Sequence, residues 1–139
     1  MQNLFVDKED TFKVNFSVAT DKMGTMFCDL NAEALKAGLE VISAKIEDWE
    51  IKDYYAVFKR PSFGDTMPLY DSVFTTSDGT SVNFNPIVAR FRKIAILIRK
   101  WNLTGEDVKP SEAEIENLHP VIANAIGIQL DLEVGGMLG

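Results

Sequence analysis

A chain of 139 residues with 46% apolar content is long enough to bury one sizeable core and too apolar to be disordered throughout. Its formal net charge of −7 argues against general affinity for nucleic acid or an anionic membrane, and its lone cysteine, Cys28, excludes an internal disulfide, which permits a reducing cytoplasm. No segment is apolar enough to span a bilayer, and the start MQNLFVDKED is not a signal peptide, so the expectation is a single domain over residues 1–139 that is not secreted.

Residues 1–10 read as a flexible arm. Phe12, Val14, Phe16 and Val18 alternate with Lys13, Asn15 and Ser17, which predicts a half-buried strand over 11–18. Thr20 to Gly24 reads as a turn, with Gly24 able to take positive φ, and Thr25–Leu30 as the returning strand of a hairpin. Asn31 is placed to cap a helix. Leu35, Leu39, Ile42, Ile46 and Trp49 step by four and three, so the helix is predicted to run to about Asp48; a strand over 41–51 is the alternative. Gly38 weakens that helix by about 1 kcal/mol relative to Ala.

Tyr54–Lys59 is aromatic and β-branched and reads as a strand ended by Arg60-Pro61. Ser62 and Asp65 resemble a capping box, but in a long helix from Ser62 the ring of Pro68 would clash with the carbonyl four residues back. The predicted helix therefore takes Asp65 as its cap and covers about 66–75, followed by a loop over 75–80.

Residues 85–103 give the clearest helix. Asn85 suits the N-cap and Pro86 the first helical position. Ile87, Phe91, Ile94, Ile98 and Trp101 stack on one face, widened by Val88, Ala95 and Leu97; Arg90, Arg92, Lys93, Arg99 and Lys100 cover the rest with no acid among them. The predicted core sets Phe91, Ile94, Ile98 and Trp101 against Leu39, Ile42 and Ile46. After an acidic turn over 105–110, Ser111 and Glu114 form a capping box for a short helix to about Leu118. Pro120 opens a last helix with Val121, Ile122, Ala125, Ile126, Gln129 and Leu130 on its apolar side and a local weakness at Gly127; residues 135–139 should fray. The fold class that follows is α+β: an N-terminal hairpin and one further strand with about five helices, the 86–101 helix central. Leu39, Ile42, Ile46, Trp49 and Ile51 also echo Phe91, Ile94, Ile98, Trp101 and Leu103 at a fixed offset, which leaves an old duplication open beside chance.

Little here points to catalysis. His119, the one histidine, sits between Leu118 and Pro120 with no second ligand or nucleophile, and reads as a helix junction. Cys28 in an apolar strand reads as an inert thiol. No phosphate loop, nucleophile elbow or metal-ligand motif is present, so no enzyme activity, cofactor or metal is expected. The basic strip has three readings: a solvated face, pairing in part with Glu106, Asp107, Glu112, Glu114 and Glu116; a docking surface for an acidic protein; or a nucleic-acid contact.

Three stretches carry a resemblance. Val57-Phe58-Lys59-Arg60-Pro61-Ser62-Phe63-Gly64-Asp65-Thr66-Met67 is an aromatic strand, a basic-Pro step and a Gly-Asp-x-Met helix entry. Trp101-Asn102-Leu103 ends a long helix. Pro110-Ser111, Ile115, Leu118 and Pro120 follow a Pro-Ser-x-x-x-Ile-x-x-Leu-x-Pro pattern. Over about residues 54–130 the chain resembles the phage tail assembly chaperones. The resemblance implies a non-enzymatic protein of the infected host's cytoplasm. Such a protein binds the long helical tape measure protein, keeps it soluble and recruits tail tube subunits, then leaves before the virion matures. It is compatible with a homo-oligomer and with a longer frameshifted form. The alternatives are a structural virion component of the tail or neck and a small regulatory nucleic-acid protein. A tape measure client would need a helix-receiving groove. Ile122, Ile126 and Leu130 of segment 120–134 are its expected lip, with Arg92, Lys93, Arg99 and Lys100 steering the encounter.

Overall fold

The alternation over 11–18 folds as strand β1, Thr11–Thr20, in a computed structural model that describes residues 5–7, 9–42, 45–67, 74–76, 82–84 and 86–134. The expected turn follows: Asp21 Oδ1 accepts the N–H groups of Met23 (2.9 Å) and Thr25 (2.8 Å), and Gly24 takes φ +83°. Strand β2, Met26–Asp29, returns antiparallel to β1. Asn31 caps helix α1, Ala32–Val41, by accepting the Ala34 N–H at 2.8 Å. A 3-10 turn, Ile46–Asp48, leads into β3, Glu50–Lys59, which pairs with β1 over all ten residues. A helical turn covers 63–67. Strands β4, Phe74–Thr76, and β5, Val82–Phe84, form a separate two-stranded ladder. Helix α2, Pro86–Leu97, runs directly into β6, Ile98–Trp101, and helices α3, Glu112–Glu116, and α4, Pro120–Val134, follow. The main sheet has the order β2-β1-β3-β6 and is antiparallel throughout. The class is α+β, as the sequence predicts.

The sheet separates two apolar clusters. Phe12, Val14, Phe16 and Val18 of β1, with Ala56 and Phe58 of β3, face α2 and α4 and pack on Ile94, Leu97, Ile126 and Leu130. Among the described residues the opposite face is covered at one end, where Ala19 packs with Leu35 and Leu39 of α1, bordered by Trp49 and Ile51. The absence of a long side chain at the fully buried Ala19 gives α1 room to sit close to the sheet.

Five expectations need correction. The 31–48 helix stops at Val41, so Ile42 is exposed and Ile46 only half-buried; with Leu39 on the far side of the sheet, the expected cluster of Leu39, Ile42 and Ile46 with Phe91 and Ile94 does not form. The 85–103 helix ends at Leu97, because residues 98–101 gain a β partner in β3. Ile87, expected on the inner face, is largely exposed, and the expected cap Asn85 lies outside the described residues. The helix expected over 66–75 instead begins at Phe63. The Ser62–Asp65 box forms after all, with Asp65 accepting the Ser62 N–H at 2.9 Å and Ser62 Oγ accepting the Asp65 N–H at 3.3 Å. Residues 68–73 and most of the expected 75–80 loop lie outside the described residues, while 74–76 is strand. The offset echo finds no structural counterpart: position 46 is in a 3-10 turn where its match, Ile98, is in a strand.

Candidate functional site

Helices α2, α3 and α4 frame the candidate site, and local chemistry fixes each of them. Pro86 opens α2 at the position where its missing N–H costs nothing. Ser111 and Glu114 close the predicted capping box on α3, with Ser111 Oγ accepting the Glu114 N–H and Glu114 Oε1 accepting the Ser111 N–H, both at 3.2 Å. That turn drives Ile115 into the core. His119 caps α4: its Nδ1 accepts the Val121 N–H at 3.2 Å and its carbonyl accepts those of Ile122 and Ala123. The histidine is a helix junction, as read from the sequence. Gly127 lets α4 lie against α2, since a Cβ there would stand 2.5 Å from Arg90 Nε. Arg90 crosses at that point and donates to Asn124 Oδ1.

Between these helices lies an open, mainly apolar groove of about 420 Å³. Phe91 and Ile94 of α2 and Ile115 of α3 line it, with Leu118, Ala123 and the exposed Ile87 around them; Arg90 and Glu116 supply one charge of each sign. The shape suits a rod with an apolar stripe.

The residues expected to bind a partner are dispersed. Ile126 and Leu130 are buried in the core, and Ile122 packs against it, so this side of α4 is turned to the sheet rather than to solvent. Only the first turns of α4, through Pro120, Ala123 and Asn124, reach the groove. The basic strip also dissolves, because the strand at 98–101 breaks the helical face that would have aligned it. Lys93 is buried with its Nζ 2.7 Å from Asp131 of α4. The Arg92 guanidinium lies 5.5 Å from the Phe91 ring, and its Nε is buried without a hydrogen-bond partner among the described residues. Arg99 and Lys100 are exposed on β6, where Lys100 pairs with Asp107 at 3.5 Å. That pair is one of the intramolecular contacts the acidic stretch was expected to make.

The three stretches behind the family resemblance are structural joints. Lys59 Nζ meets Asp65 at 2.6 Å in a largely buried pair. Burial pushes the Asp65 carboxyl up, but the Lys59 ammonium and the Ser62 amide and hydroxyl outweigh it and hold the group below its ordinary value. Arg60 lies over the Phe12 ring at 5.0 Å and reaches Asp10 and Glu133. Trp101 is buried, Leu103 packs on the core, and Asn102 ties β6 to β3. Sequence reasoning expected a groove with its lip at 120–134 but missed the α2 and α3 walls of this one, and missed Asn102 as a strand tie, since neither leaves a periodic signal.

Cys28 is half-buried, and burial first, then the Asp29 charge, pushes its thiol up to about 11, far from a nucleophile's range. Among the described residues, no cluster of three His, Cys, Asp or Glu is placed to hold a metal, and no helix is long and apolar enough to cross a membrane. No protein-family model, curated protein or solved structure matches the chain.

Proposed function

We propose that this chain is a phage tail assembly chaperone, a non-enzymatic protein that binds the tape measure protein through the α2–α3–α4 groove and helps recruit tail tube subunits in the host cytoplasm. The observation that carries the reading is the groove: an open apolar channel bounded by three helices, with Arg90 and Glu116 at its margin. A long helical client must have its apolar stripe covered before assembly, and a groove between helices receives such a stripe through side chains spaced by three and four residues. The resemblance over 54–130 supports the same reading, because Ile115 and Leu118 of its motifs line that groove.

The test fills the groove without disturbing the core. Ala123→Trp should leave the melting temperature close to that of the wild type and abolish the solubility of a co-expressed tape measure protein. A filled variant that still keeps the client soluble would overturn the assignment. Deleting 120–139 is not a usable test, because it removes Ile126 and Leu130 from the core. Mass spectrometry of purified particles separates this reading from a virion part: the chaperone should be absent from them.

A further inference from the structure

The two edges of the main sheet are treated differently. At β6, Trp101 exchanges backbone hydrogen bonds with Val108, at 2.9 Å and 3.1 Å, so a piece of following chain covers that edge. At β2, nothing among the described residues pairs with the outer side. The direction of its backbone groups follows from the turn. Asp21 N–H donates to the Thr25 carbonyl at 3.2 Å, and the register continues as Thr20↔Met26, Ala19↔Phe27, Val18↔Cys28 and Ser17↔Asp29. Antiparallel pairs alternate between bonded and non-bonded, so Phe27 and Asp29 bond inward to β1, and Met26 and Cys28 turn their N–H and C=O groups outward. The edge is short and ends in Asp29, but it has no other protection among the described residues. Met26–Asp29 contains no Lys, Pro or bulge. It also has exposed apolar side chains on both sides: Phe27 and Ile42 on the α1 side, Leu30, Ile128 and Leu132 on the α4 side. Two shallow apolar grooves run along it, and Cys28 and Asp29 line both.

We propose that β2 pairs with β2 of a second copy, antiparallel about a twofold axis through Phe27, to make one eight-stranded sheet. Only Met26 and Cys28 can bond outward, and one twofold register uses both in each copy. It sets Met26 against Cys28 of the partner, and Cys28 against Met26, and closes four backbone hydrogen bonds. Phe27 then meets Phe27 of the partner subunit as a non-bonded pair, where side chains approach most closely. The charges fit this occupant. Asp29 falls opposite the partner's Thr25, so no like charges oppose each other within the strands. The turn carrying Lys22 runs past the start of α1 in the other copy, where Glu33 lies in the first turn. Asp21 of that turn is already engaged by the N–H groups of Met23 and Thr25. An isologous contact of this kind closes after two copies and does not propagate. It does not depend on the chaperone reading.

Sedimentation equilibrium of the purified chain tests the proposal. The expected mass is twice 15.5 kDa at about 100 µM protein, above the dissociation constant of a specific dimer. Cys28→Pro removes an outward donor without touching the β1–β2 ladder, and should weaken dimerisation at least about tenfold. Phe27→Lys and Phe27→Glu should each be monomeric alone and form a mixed dimer when combined, a rescue that unfolding could not produce. A monomeric wild type would overturn the proposal. So would a dimer indifferent to Cys28→Pro, or the absence of any mixed dimer.

Discussion

Asn102 Oδ1 accepts the backbone N–H of Tyr55 at 2.8 Å, while the Asn102 N–H donates to the Tyr55 carbonyl at 3.2 Å. One residue thus satisfies both polar groups of its neighbour in β3, its side chain standing in for the backbone carbonyl of a strand that has already turned away. Asn102→Ala leaves the Tyr55 N–H without that acceptor and should cost about 1–3 kcal/mol in urea unfolding. Asn102→Asp keeps the acceptor and should recover most of it. Exchange of the Tyr55 amide should quicken in the alanine variant alone.

Gly127 and Arg90 should be coupled. Gly127→Ala gains about 1 kcal/mol of helix propensity but drives a methyl into Arg90, whose Cδ would lie 2.6 Å away, and so displaces it from Asn124. The substitution alone should be neutral or destabilising. In an Arg90→Ala background it should stabilise by up to about 1 kcal/mol, and a double-mutant cycle by thermal melting measures the difference.

The former basic strip should divide by position. Lys93→Glu sets a buried carboxylate against Asp131 and should cost more than about 3 kcal/mol. The pair Arg99→Glu and Lys100→Glu, on exposed β6 positions, should change stability by less than about 1 kcal/mol. Equal losses in the two variants would restore the picture of one continuous face.

Asp65 gives a pH dependence of definite sign. Its carboxyl is held below 3.8, so its contribution is present above that value and lost as pH falls through the lower, folded-state value. Asp65→Asn, which leaves Lys59 without its carboxylate partner, should cost about 1–3 kcal/mol at neutral pH. The deficit relative to the wild type should narrow in acid, as followed by denaturation at pH 7 and pH 3.

Ile94 and Ile42 separate what the sequence reveals from what it hides. Ile94→Ala should cost about 2–5 kcal/mol; Ile42→Ala, on an exposed position, should cost under about 0.5 kcal/mol. Both carry the same helical spacing in the sequence, but α1 ends at Val41 and leaves Ile42 exposed. A similar ambiguity explains β6. A register shift of the β3–β6 ladder between Val57 and Phe58 leaves Arg99 as an extra residue, so Ile98 and Trp101, three apart, both point inward. A bulged strand there imitates the step of a helix. The hairpin, the Asn31 cap and the Ser111 box were legible because each is encoded within a few residues. The three-residue strands β4 and β5 are too short to show a period. The groove belongs to three helices whose contact no local pattern encodes.

The β1–β3 ladder also has a consequence for the order in which the protein is made. Once residue 59 has left the ribosome, three of the four strands and all of α1 are present, and Ala19, Leu35 and Leu39 can close their side of the sheet. The other side, with Phe12, Val14, Phe16, Val18, Ala56 and Phe58, has no cover until α2 and then Ile126 and Leu130 emerge some seventy residues later. At a synthesis rate of about 5–20 residues per second, that face stays bare for several seconds. Stalled or truncated chains ending between 60 and 120 should therefore aggregate, whereas chains reaching 134 should not.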